Sequence, residues 1–208
     1  MRNSLQYATG NGASIFTSTL RRRLAVLLAI VALVLAGSAV AAQPKVWSPK
    51  VTAYESAGSP ADAEARAPVE RTRLANVDID AARARTVGDP SGETKTWTVV
   101  PIESGICAVF GDGNVLCGHD ERLAVSGASV IWSTPSPVEV QEGTGAYAFR
   151  GIAVDDVASV AVINQDGVEL AKTAPKGSVF AITVAAAKQP TALRLTGSDG
   201  QVSVIEVD

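Results

Sequence analysis

The feature that most constrains the fold is the run GICAVFGDGNVLCG at residues 105–118, where two cysteines flank a Gly-Asp-Gly turn signal. Glycine on each side of Asp112 suits a tight reversal, because glycine reaches backbone conformations closed to other residues. Centring a three-residue loop on Asp112 sets Phe110 opposite Asn114, Val109 opposite Val115 and Cys107 directly opposite Cys117. Residues opposed across antiparallel strands have Cα atoms about 4.5–5.5 Å apart, inside the range a disulfide spans. The spacing predicts a cross-strand disulfide, Cys107 to Cys117, pinning one hairpin. A redox pair or metal site is the alternative, but the spacing is not C-x-x-C and no second pair of ligands accompanies it.

A disulfide persists in oxidising compartments, and the N-terminal portion offers a route to one. In residues 21–42, RRRLAVLLAIVALVLAGSAVAA, three arginines precede nineteen residues without charge or proline. As a helix these would reach roughly 28 Å, close to the hydrocarbon thickness of a bilayer. Two readings stay open. As a signal peptide, the basic part ends at Arg23, the apolar part runs to Leu35, and Ala39-Val40-Ala41 matches the A-x-A pattern, with cleavage at Ala41 and Ala42. As an uncleaved anchor, all nineteen residues span the membrane, and the long leader favours this. A buried globular helix fits poorly, since the segment has no polar face.

Orientation follows from charge. Residues 1–23 contain Arg2, Arg21, Arg22 and Arg23 and no acid or lysine, so subtracting their +4 from the whole-chain −3 leaves −7 for the remainder. Positive charge stays on the cytoplasmic side, so the C-terminal bulk is expected outside. No phenylalanine follows the arginines as a twin-arginine signal would have it. Ser38 stands where a lipoprotein box needs its acylated cysteine, so no lipid attaches there.

About 165 residues follow the segment, enough for one ordinary core. Hydrophobic residues make up 47% but aromatics only 5%, so the core must be built mostly from Ala and Val, which suits strands. The acidic balance argues against nucleic acid as a partner. Residues 1–23 read as a polar, basic cytoplasmic leader and 24–42 as the signal or transmembrane segment. Residues 43–92 read as a disordered linker, with Pro44, Pro49, Pro60 and Pro68 among small and charged residues. Within it, Trp47 and Tyr54 are candidates for the membrane interface if the segment stays anchored. A short helix is expected over 79–86, capped by Asp78 or Asp80, and the GDPSG run at 88–92 ends it.

Residues 93–208 carry a β pattern. Trp97, Val99 and Pro101 alternate with Thr98, Val100 and Ile102, and the cystine hairpin follows. Residues 123–132 read as a strand bending at Gly127. Tyr147 and Phe149 share a face, as do Val160 and Val162, and so do Phe180, Ile182 and Val184. Asp166 with Gly167, and Asp199 with Gly200, mark hairpins, because a type I′ turn needs positive φ at both central residues. Short strands at this spacing predict a mainly β domain, a small antiparallel sandwich or partly open barrel. The two Asp-Gly units are explained as hairpins without invoking a repeat.

Residues 105–208 resemble a group of exported, uncharacterised proteins of high-GC Gram-positive bacteria. The resemblance lies in the small cystine loop, the phrase GIAVDDVASV at 151–160, the Val-x-Val strand with its Asp-Gly turn, and the pair Val179 and Phe180. It implies an immunoglobulin-like or transthyretin-like β domain. Asp155 departs from the proline the group often has at that turn. The group brings no activity and no functional residue with it.

Chemistry-bearing clusters are few. The one histidine, His119, lies beside Asp120 and Glu121, but neighbours along an extended chain point apart and no second histidine completes a zinc set, so a solvated turn is expected. No G-x-S-x-G elbow, S-x-x-K pair, P-loop or G-x-G-x-x-G is present. The run Ser126-Gly127-Ala128-Ser129 reads as a strand bend. Asp155 and Asp156 form the obvious acidic pair, either half of a glycosidase arrangement or solvated loop residues. No catalytic, cofactor-binding or metal residue is assigned. The expected role is an exported cell-envelope module that binds a protein or wall component, or serves a structural purpose. The alternatives are an extracellular hydrolase using carboxylates in a cleft, and a membrane-tethered sensor component, for which the 23-residue leader is too small a signalling domain.

Overall fold

The computed structural model describes residues 46–71, 78–92 and 95–207. The basic leader, the apolar segment and the cleavage pattern at Ala41 and Ala42 lie outside these residues. Among the described residues no helix is long and apolar enough to cross a membrane.

The expected mainly β architecture is present as three antiparallel sheets. The first is five-stranded, in the order β1 (Ser59–Pro60), β2 (Arg85–Gly88), β3 (Thr96–Ile102), β4 (Gly105–Val109) and β5 (Val115–His119). Seven more strands follow: β6 (Ala128–Ser133), β7 (Ala146–Ala153), β8 (Val157–Ile163), β9 (Glu169–Thr173), β10 (Val179–Ala185), β11 (Ala192–Gly197) and β12 (Val202–Glu206). They form a three-stranded sheet, β10-β7-β6, and a four-stranded sheet, β12-β11-β8-β9. Phe149, Ile152, Phe180 and Ile182 from one of these meet Val160, Val162, Leu193 and Leu195 from the other in one buried cluster, the arrangement of a β-sandwich. Trp97, Val99 and Phe110 extend that cluster into the five-stranded sheet.

The two Asp-Gly hairpins fall where the sequence marks them, but not as type I′ turns, because Asp166 and Asp199 keep negative φ. Gly167 and Gly200 adopt φ of +75° and +80°, joining β8 to β9 and β11 to β12. Phe180, Ile182 and Val184 are buried together as their spacing predicts. Gly151, cross-strand partner of Phe180, is required by close packing: a Cβ there would stand 2.5 Å from the Phe180 ring and from the Ser129 carbonyl.

The expected linker is overturned over its described parts. Trp47 and Tyr54 are 1% and 0% exposed, packed in the central core, so they belong to the β domain and are not interface anchors. A short helix, α1 (Ala53–Ala57), carries Tyr54 inward. Pro60 lies in the edge strand β1, where its missing N–H is tolerated. Helix α2 (Ala63–Arg71) starts where the Asp62 carboxylate accepts from the Ala65 N–H at 2.8 Å, and it accommodates Pro68 in its interior. Four widely spaced apolar anchors (Trp47, Tyr54, Ala61 and Val69) outweigh a composition that, averaged, reads as disordered.

The expected helix over 79–86 is also absent. Arg83 closes a turn on Asp80, its N–H donating to the Asp80 carbonyl at 3.2 Å, and β2 then pairs with β3 from Arg85 opposite Val99 to Gly88 opposite Thr96. An eight-residue helix is marginal without tertiary support, and the sheet ladder wins. Residues 123–132 divide as well: helix α3 (Asp120–Ser126) comes first, Gly127 caps it at φ +77°, and β6 begins at Ala128. The bend expected at Ser126-Gly127-Ala128-Ser129 is therefore a helix-to-strand junction. A further helix, α4 (Pro137–Glu142), opens with a full capping box between Ser136 and Glu139.

Candidate functional site

The cystine hairpin forms in the predicted register. Cys107 pairs with Cys117, Val109 with Val115, and the Phe110 N–H donates to the Asn114 carbonyl at 2.9 Å. The disulfide joins Cα atoms 4.0 Å apart. Its surroundings come from the stretch expected to be a linker. Val69 of α2, with Ala61, Ala84, Val100 and Ile102, seals Cys107 at 0% exposure on the outer face of the five-stranded sheet, while Ile106, Ala108 and Phe110 of the same hairpin face the central core. Strand β4 is thus covered on both faces.

At the hairpin tip the Arg150 guanidinium from β7 meets the Asp112 carboxylate at 2.6 Å and lies 5.4 Å from the centre of the Phe110 ring, which packs edge-on against Trp97. Partial desolvation pushes the Asp112 carboxyl up, but the Arg150 and Asn114 hydrogen bonds outweigh it and hold the group below the usual carboxylate range. Asp89, Lys95 and Arg150 line a cleft of about 170 Å³ beside this latch. An ionised carboxylate already matched by a guanidinium suits tethering the hairpin to β7; general acid catalysis needs a raised pKa instead.

Asp155 does what its sequence position does not announce. The residue is exposed, yet its carboxylate accepts from the Thr52 N–H at 2.9 and 3.1 Å, from the Thr52 hydroxyl at 2.7 Å and from the Ala53 N–H at 3.1 Å. Ser178 Oγ adds a bond at 3.4 Å. Thr52, the residue preceding α1, makes no side-chain cap of its own. A carboxylate 103 positions away in the chain therefore satisfies the free N–H groups at the start of α1. Partial desolvation raises the carboxyl pKa, but the donors from Thr52 and Ala53, helped by Lys50, hold it below the usual range. The Asp155 N–H also donates to the Lys50 carbonyl at 2.9 Å. The expectation of a solvated acidic pair is corrected for Asp155: it is a clamp between the β7–β8 turn and the N-terminal strap.

His119 ends β5 directly before α3, with Asp120 and Glu121 in that helix's first turn in place of the expected solvated turn. Its Nδ1 stands 3.5 Å from the Ser104 hydroxyl. No hydrogen bond joins His119 to Asp155, and no group of three or more His, Cys, Asp or Glu among the described residues is placed to hold a metal. Ser126 and Ser129 serve the junction: the single Ser126 hydroxyl proton is shared between the Arg122 and Ala128 carbonyls, at 2.8 and 2.6 Å, and the Ser129 hydroxyl donates to the Cys117 carbonyl at 3.1 Å.

One surface feature stands apart from these internal ties. An open groove of about 640 Å³ runs between β6, α3 and β12, lined by Val125, Val130, Trp132 and Ile205 with Arg122 and Glu206 at its rim. Val125 is 74% exposed. Sequence reasoning misses it because its walls come from strands far apart in the chain. Comparison with known protein families, curated proteins and solved structures finds no match for this chain.

Proposed function

We propose that this chain is an exported cell-envelope protein whose β domain is a non-enzymatic binding or structural module. Residues 24–42 carry it across the cytoplasmic membrane, as an anchor with the N-terminus inside or as a cleaved signal. The observation that supports this reading is the Cys107–Cys117 disulfide, whose Cys107 is buried against α2 as part of a structural cross-link. Structural disulfides of this kind belong to oxidising compartments. The partner chemistry is a protein or wall component reached by an acidic, salt-bridged surface, and nucleic acid is disfavoured by charge.

The test is a C-terminal reporter active only outside the cytoplasm, combined with N-terminal sequencing of the product. Reporter activity that depends on residues 21–42 supports export, and a start at Ala42 or Gln43 identifies a released domain. Activity lost outside and retained by a cytoplasmic reporter refutes export. The hydrolase alternative is carried by the Asp89–Asp112 cleft, and wall-polymer or peptide hydrolysis abolished by Asp112→Asn with the fold intact would favour it.

A further inference from the structure

We infer that two copies of this chain pair through strand β12, antiparallel and centred on Val204, to make one continuous sheet. Among the described residues β12 lies at the end of the four-stranded sheet and pairs only with β11. The Val207 N–H donates to the Thr191 carbonyl and the Gly197 N–H to the Gln201 carbonyl, at 2.9 and 2.7 Å, on either side of a ladder that matches Leu193 with Ile205 and Leu195 with Ser203. Hydrogen-bonded and non-hydrogen-bonded pairs alternate along an antiparallel ladder. The backbone groups of Gln201, Ser203, Ile205 and Val207 are therefore turned toward β11, and those of Val202, Val204 and Glu206 toward the free edge.

The side chains of this edge guard it only at one end. Natural edges are blunted by charged side chains, proline or a bulge; β12 reads VSVIE, with one charge, Glu206, at its end and Val202 and Val204 51% and 55% exposed. The edge is self-complementary. In a two-fold pairing centred on Val204, that residue faces Val204 of the other copy and Val202 faces its Glu206, so the same three residues exchange all their outward backbone bonds. Like charges do not oppose each other across the pair. An isologous contact requires each edge to match itself, and this register meets that condition. Ser203 and Ile205 of the incoming strand, on its inner face, then lie over the groove of Val125, Val130 and Trp132. That groove gives the contact an apolar component beyond its hydrogen bonds.

The test uses the full-length chain in mild detergent, with mass measured by sedimentation equilibrium across a concentration series. The wild type is expected to show a dimer whose dissociation constant rises at least tenfold in Val204→Lys, which sets two ammonium groups opposite each other at an already exposed position. Mixing Val204→Lys with Val204→Glu should restore the dimer. Hydrogen exchange should show concentration-dependent protection of the Val202, Val204 and Glu206 amides, while Ser203, Ile205 and Val207 stay protected at every concentration. A wild type that remains monomeric overturns the proposal. So does a dimer unchanged by Val204→Lys, a mixture that fails to re-form dimers, or amides at 202, 204 and 206 whose exchange ignores concentration.

Discussion

Replacing Asp155 by Asn or Ala tests whether the N-terminal strap is part of the β domain. The alanine variant leaves the Thr52 and Ala53 N–H groups and the Thr52 hydroxyl without their carboxylate, although water can reach them. Loss of a helix N-cap costs about 1 kcal/mol, and charge-assisted bonds that are partly screened by solvent add a similar amount, so about 2 kcal/mol is expected. In a domain of this size that lowers Tm by roughly 4–8 °C. Asparagine keeps one acceptor oxygen and should lose about half as much. The effect has a pH signature. The Asp155 carboxyl is depressed in the folded state, so its contribution is complete above the unfolded carboxylate pKa and disappears as pH falls through the folded value. Urea unfolding of wild type and Asp155→Asn should therefore give a stability difference that is full at neutral pH and shrinks in acid. Equal stability at neutral pH, or a difference undiminished at the lowest pH where both fold, would refute the clamp.

Trp47→Ala should cost about 3–5 kcal/mol, as for other buried tryptophans, and open residues 46–57 to limited proteolysis that spares the wild type. Gly127→Ala places a Cβ 2.6 Å from the Trp47 indole at φ +77°, so a loss of about 2–3 kcal/mol in urea titration is expected. Arg150→Ala removes both the Asp112 ion pair and the contact with Phe110, and thermal unfolding should register about 1 kcal/mol. Replacing both cysteines by alanine frees a cross-link between residues ten apart in sequence and should lower stability by about 3 kcal/mol at unchanged fold.

The cystine hairpin and the sandwich are legible in the sequence because their determinants are local. A Gly-Asp-Gly loop fixes which residues oppose each other, and period-2 burial assigns Phe180, Ile182 and Val184 to one face. The strap is illegible for the opposite reason. Residues 46–71 hold their place through single anchors: Trp47 against Gly127, Tyr54 in the core, and Thr52 on Asp155. Each anchor's partner lies far away in sequence, so neither composition nor periodicity signals it. Helix α3 escapes a strand reading only through Gly127 and the burial of Leu123, which again depend on tertiary packing. Of the site residues, Cys107 and Cys117 are recoverable from spacing alone. The acceptor role of Asp155 and the free edge of β12 require the register of the finished sheets.

The most direct measurement is the redox state of Cys107 and Cys117 in cells making the full chain, fixed by acid quenching and alkylation and read by mass spectrometry. Export predicts that both sulfurs escape alkylation until reduction, and that deleting residues 21–42 leaves two alkylatable thiols in the cytoplasm. Free thiols in the full-length protein, or a disulfide formed equally well without residues 21–42, would contradict it.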